Sequence, residues 1–257
     1  NDNIVHVDAS VDPVRDKEII DFELQLKDLE SIEKNIGALA RKAKSGDKDA
    51  SRQHEVFEAA KNHLEAGNSI RSLEVDKEKM ALLDELQLLT AKPVLYLCNV
   101  DEASVKDGNS YVEAVREAVK DEDAEVLILG AAIEADINEL DTYEERQMFL
   151  EDLGLEEPGV SKLISSAYKL LKLQTYFTAG VKEVRAWTIN LGMTAPQAAG
   201  VIHTDFEKGF IRAEVIHYND FVEFGSEAKC KEVGKLNIEG KEYVPEDGDV
   251  MHFRFNV

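Results

Sequence analysis

The residues of this sequence best suited to bind a small ligand stand at the polar end of an apolar run. Residues 94–98 are apolar, and Asn99, Asp101 and Glu102 follow directly. A short run that is apolar on both faces is typical of a parallel strand covered by helices on each side. In open α/β sheets, ligands bind beyond the carboxyl ends of such strands. We therefore expect Asn99 and Glu102 to face a ligand.

A second strand of the same kind is predicted about thirty residues later, which is the spacing of a βαβ unit. It covers residues 124–129 and ends in a loop of small and polar residues at 130–134. The helix between the strands is predicted over residues 109–120, with three valines on one face: Val112, Val115 and Val119. The two loops are therefore expected at one edge of the sheet. The same residue types also occur in turns that bind nothing, and the first motif alone leaves that alternative open.

Together the two loops resemble the base-binding half of a P-loop GTPase-type domain. In that superfamily the first loop is usually Asn-Lys-x-Asp, and its Asp accepts two hydrogen bonds from guanine. Here Val100 stands at the Lys position and Glu102 at the Asp position. The longer carboxylate does not fit the guanine contact, and an unpaired polar group in a base pocket costs about one to several kcal/mol. This Asn-x-x-Glu form resembles the YchF or Obg-like ATPase family, which prefers ATP.

The C-terminal part of the sequence strengthens this resemblance. Residues 174–187 and 203–215 are similar to the TGS domain that closes YchF-type proteins. The resemblance then covers essentially all 257 residues, in the order and spacing of the family. It implies an α/β fold: part of a P-loop NTPase (Rossmann-like) domain with an inserted antiparallel coiled-coil helical hairpin, followed by a β-grasp (ubiquitin-like) TGS domain.

Four parts of the chain are predicted from this resemblance and from the apolar patterns. Residues 1–15 are a remnant of the NTPase domain, 16–75 the helical insertion, 76–172 the C-terminal half of the NTPase domain, and 173–257 the TGS domain. Further helices are predicted at residues 77–89, 141–153, 158–173 and 196–202, and strands at 184–189, 210–216 and 251–256.

A coiled-coil seam is predicted within residues 16–44, where apolar residues recur at alternating steps of four and three. It consists of Phe22, Leu26, Leu29, Ile36, Ala40 and Ala43, and Glu33 interrupts it. A turn signal at 45–49 separates it from a second helix at 50–65, whose predicted inner residues are Val56, Ala59, Ala60, His63 and Leu64. The sequence does not decide whether this hairpin is a spacer or a docking arm.

The resemblance also assigns roles to single residues. Asn99 and Glu102 would read the base edge, Val100 would pack on the base, and Ala131 and Ala132 would supply backbone contacts. His6 lies in the stretch Asn-Asp-Asn-Ile-Val-His-Val, which the family keeps in a mobile loop near the nucleotide and to which a role in hydrolysis is attributed. A histidine can position or deprotonate water. A lone histidine is more often a plain surface or turn residue.

The sequence contains no Gly-x-x-x-x-Gly-Lys-Ser/Thr motif. Without it there is no backbone cradle or lysine for the β- and γ-phosphates and no hydroxyl for magnesium. The resemblance places residue 1 just after the missing phosphate-binding half. We therefore expect the chain to be the C-terminal portion of a longer protein, with the Mg²⁺ ligands upstream of residue 1 and no activity in this portion alone.

The net charge of −22 argues against a general electrostatic grip on nucleic acid, and no DNA partner is expected. Residues 173–257 carry only a small part of this charge, so a local basic face is expected there. Its candidates for contacting ribosomal RNA are Lys182, Arg185, Lys208 and Arg212, with Trp187, Phe206 and Phe210 as stacking rings. In the alternative, these aromatic residues form the core and the cations cover its edges.

Other classes of site are not indicated. The two cysteines, Cys98 and Cys230, fall in different predicted domains without metal-ligand spacing, and a metal-dependent hydrolase is disfavoured because the carboxylates lack clustered His or Cys partners. No apolar run is long enough to span a bilayer, no signal peptide is evident, and a cytoplasmic location fits.

Two functions follow from these observations. The first is a ribosome-associated P-loop NTPase that binds and hydrolyses ATP in preference to GTP, with Mg²⁺. The alternative is a non-catalytic module that binds RNA or the ribosome through the helical arm and the TGS domain. The two differ in whether a phosphate-binding loop precedes residue 1 in the gene.

Overall fold

The computed structural model describes residues 10–180 and 183–256. It shows a mixed α/β fold, as predicted, and the chain divides into two compact units, Asn1–Leu163 and Ile164–Val257. The predicted four-part division of domains stays a prediction. Within the described ranges, no helix is long and apolar enough to cross a membrane.

The first unit contains long helices followed by a small parallel sheet with shorter helices. In chain order its elements are α1 (Pro13–Lys44), α2 (Lys48–Glu65), α3 (Lys77–Asp84), β1 (Leu95–Asn99), α4 (Ser110–Ala118), β2 (Glu125–Leu129), α5 (Ala131–Glu139) and α6 (Tyr143–Asp152). A further helix, α7 (Gly159–Leu170), begins in this unit and runs past the division after Leu163.

Helices α1 and α2 form a hairpin whose ends are set by the sequence. The Asp12 carboxylate accepts hydrogen bonds from the backbone N–H groups of Val14 and Arg15, and Pro13 occupies the first turn. Asp47 caps α2 in the same way. Between the helices the chain turns at Gly46, whose φ of +90° favours glycine.

The buried face of the hairpin matches the predicted seam only in part, with Leu29 and Ile36 of α1 packed against the buried core as predicted. Ile32 is completely buried against α2, whereas Phe22 and Leu26 are 59% and 45% exposed. On α2, Ala59 is exposed and Phe57, which was not predicted, is buried. The reason is that α1 packs against α2 and also against Leu83 and Leu88 of the following segment. With this second contact, the buried face of α1 includes Ile32 and leaves Phe22 and Leu26 exposed.

A buried carboxylate ties α1 to the segment that leads into β1. Asp28, only 2% exposed, accepts hydrogen bonds of 2.7 Å from the N–H groups of Leu89 and Thr90 and from the Thr90 hydroxyl. The Thr90 hydroxyl oxygen also accepts from the N–H of Ile70. This contact explains why the helix predicted over 77–89 is wrong at its C-terminal end. The chain leaves α3 at Asp84, passes through Gln87 at φ +51° and bends at Leu89 and Thr90, where Asp28 binds it.

An ionic cluster lies beside this junction. Lys17 contacts Asp21 at 2.6 Å and Glu122 at 2.8 Å, and Glu122 also accepts from Arg71 at 3.4 Å and from the Tyr96 hydroxyl at 2.8 Å. Burial and the bond to Glu122 raise the pKa of Tyr96 to about 12. Burial opposes the charge of Glu122, but the hydrogen bonds from Lys17 and Tyr96 outweigh it and lower the pKa of that carboxyl. The cluster joins the base of the hairpin to β1 and to the loop before β2.

Strands β1 and β2 pair in parallel over five residue pairs, from Leu95 with Glu125 to Asn99 with Leu129. The parallel pairing, the buried Val112 and Val115 of the connecting helix α4, and Val119, buried at its C-cap, confirm the predicted βαβ unit. The expectation that β1 is covered on both faces is wrong within the described residues, since Leu97 is 44% exposed there.

The second unit is a five-stranded sheet with short helices. Its elements are β3 (Leu173–Ala179), β4 (Val184–Asn190), α8 (Ala195–Ile202), α9 (Thr204–Lys208), β5 (Phe210–Ile216), α10 (Tyr218–Phe224), α11 (Glu227–Glu232), β6 (Asn237–Glu239) and β7 (Val250–Phe255). The strand order is β4-β3-β7-β5-β6, with β3 and β7 parallel and the other neighbours antiparallel.

The core of this unit lies between the sheet and α8. Its buried members include Tyr176, Ile189, Ala198, Phe210, Val215 and Met251. At the start of β7, the buried carboxylate of Asp249 accepts from the Tyr243 hydroxyl at 2.6 Å and from the N–H of Glu246 at 2.9 Å, and His217 Nδ1 lies 2.8 Å from it. This carboxylate fixes the turn at residues 247–249, in which Gly248 has φ +89°.

Candidate functional site

The ends of β1 and β2 are joined by one side chain. The Oδ1 atom of Asn99 accepts a hydrogen bond of 3.0 Å from the N–H of Ala131, and the N–H of Val100 donates to the carbonyl of Leu129 at 2.9 Å. The two loops singled out from the sequence therefore lie side by side. Because the oxygen of Asn99 is engaged, its Nδ2 atom, which bonds to none of the described residues, remains to donate outward.

The remaining residues of the first loop face solvent. Val100 is half-buried, and Glu102 is exposed at the start of the short 3₁₀ helix Glu102–Ser104. The carboxylate of Glu102 makes no hydrogen bond or ion pair with the described residues and can accept from a ligand. Burial raises the pKa of the neighbouring Cys98 thiol, which disfavours its reactive thiolate.

The cap of α4 and the close packing of Gly108 on β2 fix the loop that carries Glu102. Asn109 caps α4 by accepting from the N–H groups of Tyr111 and Val112. Gly108 has φ +82°, and a Cβ there would lie 3.1 Å from Cδ1 of Ile128 on β2. A larger residue at 108 would therefore push the loop off the strand. The sequence predicted Asn109 only as the start of a helix, and no pattern distinguished Gly108.

The second predicted loop, residues 130–134, is not a loop. Helix α5 begins at Ala131, and Gly130 occupies the N-cap position without a capping side chain. The N–H groups of a first helical turn lack partners within the helix. That of Ala131 is taken by Asn99, so the N–H of Ala132 is the one of the two predicted backbone contacts left for a ligand.

The first turn of α5 also holds the start of α7. Glu134 Oε1 accepts from the N–H of Gly159 at 2.7 Å, and Oε2 accepts from the N–H of Val160 at 3.3 Å. A Cβ at Gly159 would lie 3.0 Å from Glu134 Oε1 and 3.1 Å from Cγ of Leu129. Strand β2 and the starts of α5 and α7 therefore meet close to Asn99. No local sequence signal marks this contact, because Glu134 and Gly159 are 25 residues apart.

The described residues offer no group of His, Cys, Asp or Glu side chains arranged to hold a metal ion. His6, the predicted catalytic residue, and Lys182, a predicted RNA contact, lie outside the described ranges. The site as described is therefore a small exposed edge with an amide donor, a free carboxylate and a free backbone N–H, and half-buried Val100 beside them. This set suits a planar heterocycle with polar edges.

The predicted RNA-contacting face in the second unit is only partly assembled. Arg185 lies 4.1 Å from the centre of the Trp187 ring, and the Trp187 Nε1–H donates to Thr178 at 2.9 Å. Phe210 is 5% exposed, and Phe206 stacks on Phe255 at 3.8 Å. Phe210 is therefore unavailable for stacking on a base, as the core alternative predicts.

Arg185, Lys208 and Arg212 are exposed. Lys208 ends α9, and Arg212 stands on β5 directly across from Arg254 on β7. Arg254 is bound by Glu214, with contacts of 3.2 and 3.0 Å, while Arg212 lies 3.9 Å from the same carboxylate. Arg254 was not predicted from the sequence, because only the cross-strand pairing brings it beside Arg212.

One family model matches the C-terminal part of this chain, and relatives from two bacteria match the whole of it. A family model described as YchF-GTPase_C, protein of unknown function (DUF933), matches residues 173–256. A protein of Haemophilus ducreyi named ribosome-binding ATPase YchF is 53% identical over 257 residues, covering 100% of this chain and 70% of that protein. The protein of the same name from Bacillus subtilis is 51% identical with the same coverage.

A solved structure gives the same result for the fold. The structure of the Schizosaccharomyces pombe YchF GTPase matches with a TM-score of 0.85 and 36% sequence identity. The match covers 98% of this chain and 68% of that one. Sequence and structure therefore agree over nearly the whole chain.

Proposed function

This chain belongs to the YchF family, and from that premise we propose that it carries the base-binding edge of a P-loop NTPase that hydrolyses ATP in preference to GTP. The relatives named ribosome-binding ATPase and the solved YchF GTPase support nucleotide hydrolysis as the activity of the whole protein. The observation that carries the proposal is the bond from the Ala131 N–H to Asn99, which brings both loops to one edge.

Purine recognition is assigned to Asn99. Its free Nδ2–H group suits the purine N7 atom, which accepts hydrogen bonds in both adenine and guanine. Asn99 therefore provides affinity for either purine without choosing between them.

The choice of adenine is assigned to Val100 and Glu102. A carboxylate only accepts hydrogen bonds, so Glu102 suits the N6 amino group of adenine and not the O6 acceptor of guanine. The half-buried Val100 would pack on the base, and the N–H of Ala132 would contact its edge. Ala131 contributes by holding Asn99.

The remaining catalytic groups are proposed to come from elsewhere in the protein. The phosphate-binding loop and the Mg²⁺ ligands are proposed to lie upstream of residue 1, and His6 is proposed to position the attacking water. ATP and Mg²⁺ then meet the base-binding edge only in the longer protein. The 257-residue chain alone is expected to be inactive.

Ribosome binding is proposed for the α1–α2 hairpin, as a coiled-coil arm, and for the second unit, as a β-grasp TGS domain. The bacterial relatives are named ribosome-binding ATPase, which supports the ribosome as a partner and a cytoplasmic location. Contacts with ribosomal RNA are proposed for Lys182, Arg185, Lys208 and Arg212. Of these, Lys208 is exposed, Arg185 lies over the Trp187 ring, and Arg212 lies 3.9 Å from Glu214.

Calorimetric titration of ATP and GTP with Mg²⁺ tests the proposal, using the full-length protein from the gene and the 257-residue chain. We expect ATP to bind the full-length protein more tightly than GTP and to bind the shorter chain weakly or not at all. Asn99→Ala should weaken ATP binding about tenfold, since it removes a hydrogen bond to the base and releases the Ala131 N–H. Asn138→Ala, at an exposed position of α5, is the matched control and should leave binding unchanged.

Two results would overturn the proposal. GTP binding at least as tight as that of ATP would refute the base assignment. Failure of the full-length protein to bind either nucleotide would refute the proposed NTPase activity. It would favour the alternative of a non-catalytic ribosome-binding module.

A further inference from the structure

We propose that Glu134 is a positioning residue that couples base binding at the edge to the start of α7. The inference rests on the proposed function, because it takes the base to sit against the first turn of α5. Glu134 does not touch the nucleotide. It acts by holding the turn that carries Ala131 and Ala132 against Gly159 and Val160.

The first turn of α5 is held on two sides. On one side Asn99 accepts from the N–H of Ala131 at 3.0 Å. On the other side Glu134 accepts from both leading N–H groups of α7. Residues 131 and 134 are neighbours across one helical turn, so a displacement on either side moves the same short segment.

The start of α7 depends on Glu134 because its own sequence provides no cap. The residue before Gly159 is Pro158, which has no side-chain acceptor for the N–H groups of the helix. Glu134 replaces a local cap and places a negative charge at the positive end of the helix dipole. The close approach of Gly159 to Leu129 leaves the start of α7 directly behind β2.

Coupling between the two places must be reciprocal. If a base bound at Asn99 and Ala132 restrains the first turn of α5, it also restrains the carboxylate that caps α7. The amides at the start of α7 then exchange more slowly with nucleotide bound. By linkage, loss of the cap must weaken nucleotide binding by the same factor.

Hydrogen exchange of the full-length protein, with and without ATP and Mg²⁺, tests this coupling. In the wild type we expect ATP to slow exchange in the peptide that contains residues 159–163 by about threefold or more. Glu134→Ala should abolish this difference and weaken ATP binding by about three- to tenfold, the range of a lost helix cap. Glu139→Ala, an exposed acid on the same helix, is the matched control and should change neither quantity.

A double-mutant cycle separates coupling from a merely structural role. Because Asn99 and Glu134 hold the same turn, the loss of ATP affinity in Asn99→Ala/Glu134→Ala should be smaller than the sum of the single losses in free energy. Glu134→Gln keeps one acceptor oxygen and should retain part of the protection, which also provides a folded variant if the alanine variant unfolds.

The outcomes distinguish this inference from the proposed function. A wild type that does not bind ATP overturns the proposed function. A wild type that binds ATP without added protection at residues 159–163 overturns only the coupling. Additive effects in the cycle, or full protection retained by Glu134→Ala, likewise refute the role of Glu134.

Discussion

Replacement of Asp28 by Asn tests whether a buried carboxylate joins the helical arm to β1. Oδ1 of Asp28 accepts from the N–H of Leu89, and Oδ2 accepts from the N–H and the hydroxyl of Thr90. An asparagine can reproduce the acceptor on one side only. Its amide group then faces an N–H donor on the other side, and that donor, buried at Thr90 or partly buried at Leu89, loses its partner.

The expected cost follows from these bonds. A hydrogen bond to a charged acceptor contributes about 1.5–3 kcal/mol, and an unsatisfied buried donor costs about 1–3 kcal/mol. Removal of the carboxylate charge offsets part of this loss, because burying a charge is itself unfavourable. We expect Asp28→Asn to lower the free energy of unfolding of the first unit by about 2–3 kcal/mol, with a reduced urea midpoint and an unchanged slope.

Circular dichroism at 222 nm during urea titration measures this change, because α1 and α2 are the two longest helices. Trp187, the sole tryptophan, is half-buried against the core of the second unit, and its fluorescence provides an internal reference that should shift much less. Glu23→Gln removes the same charge from an exposed position of α1 and should cost less than about 0.5 kcal/mol. If Asp28→Asn is equally mild, the carboxylate does not hold the junction and the reasoning fails.

Three further predictions concern the base-binding edge, the ionic cluster and the second sheet. Val100→Lys combined with Glu102→Asp restores the usual guanine motif and should shift the ratio of ATP to GTP affinity by about tenfold or more toward GTP in calorimetry; an unchanged ratio would contradict the assignment. Because the folded pKa of Glu122 is lowered from 4.5, its stabilising effect is complete above that pH and is lost below it. The melting-temperature difference between wild type and Glu122→Gln should therefore be largest near neutral pH and shrink below about pH 4, and a difference constant with pH would exclude this role. A Cβ at Gly209 would overlap the carbonyl oxygen of Asn256, so Gly209→Ala should destabilise the second unit by about 2 kcal/mol or more, measured by Trp187 fluorescence, whereas Gly240→Ala has open space and should be mild.

Regular patterns in the sequence predicted most of the elements. The apolar strand runs and the valines at 112, 115 and 119 are periodic over a short range, and the structure shows the parallel pair and the helix that this pattern predicts. The meeting of the two loops was also predictable, because parallel strands end at one edge. Local chemistry was sufficient for these features.

Long-range contacts explain the errors. Nothing near residue 28 indicates that its carboxylate accepts from Leu89 and Thr90, and this contact ends the helix predicted to reach residue 89. The same packing of α1 exposes Phe22 and buries Ile32, which the heptad pattern did not single out. In the candidate site, Glu134 was assigned to a loop because its partner Gly159 lies 25 residues later.

The position of β7 in the second sheet determines when that sheet can form during synthesis. β7 is the last strand along the chain, yet it lies in the middle of the order β4-β3-β7-β5-β6. Until residues 250–255 have left the ribosome, the β3–β4 hairpin and the β5–β6 pair have no strand between them. The first unit has its own core and can fold while the second is still being translated. Folding of the second unit is therefore a late, long-range step, and it is complete only once translation has passed its central strand.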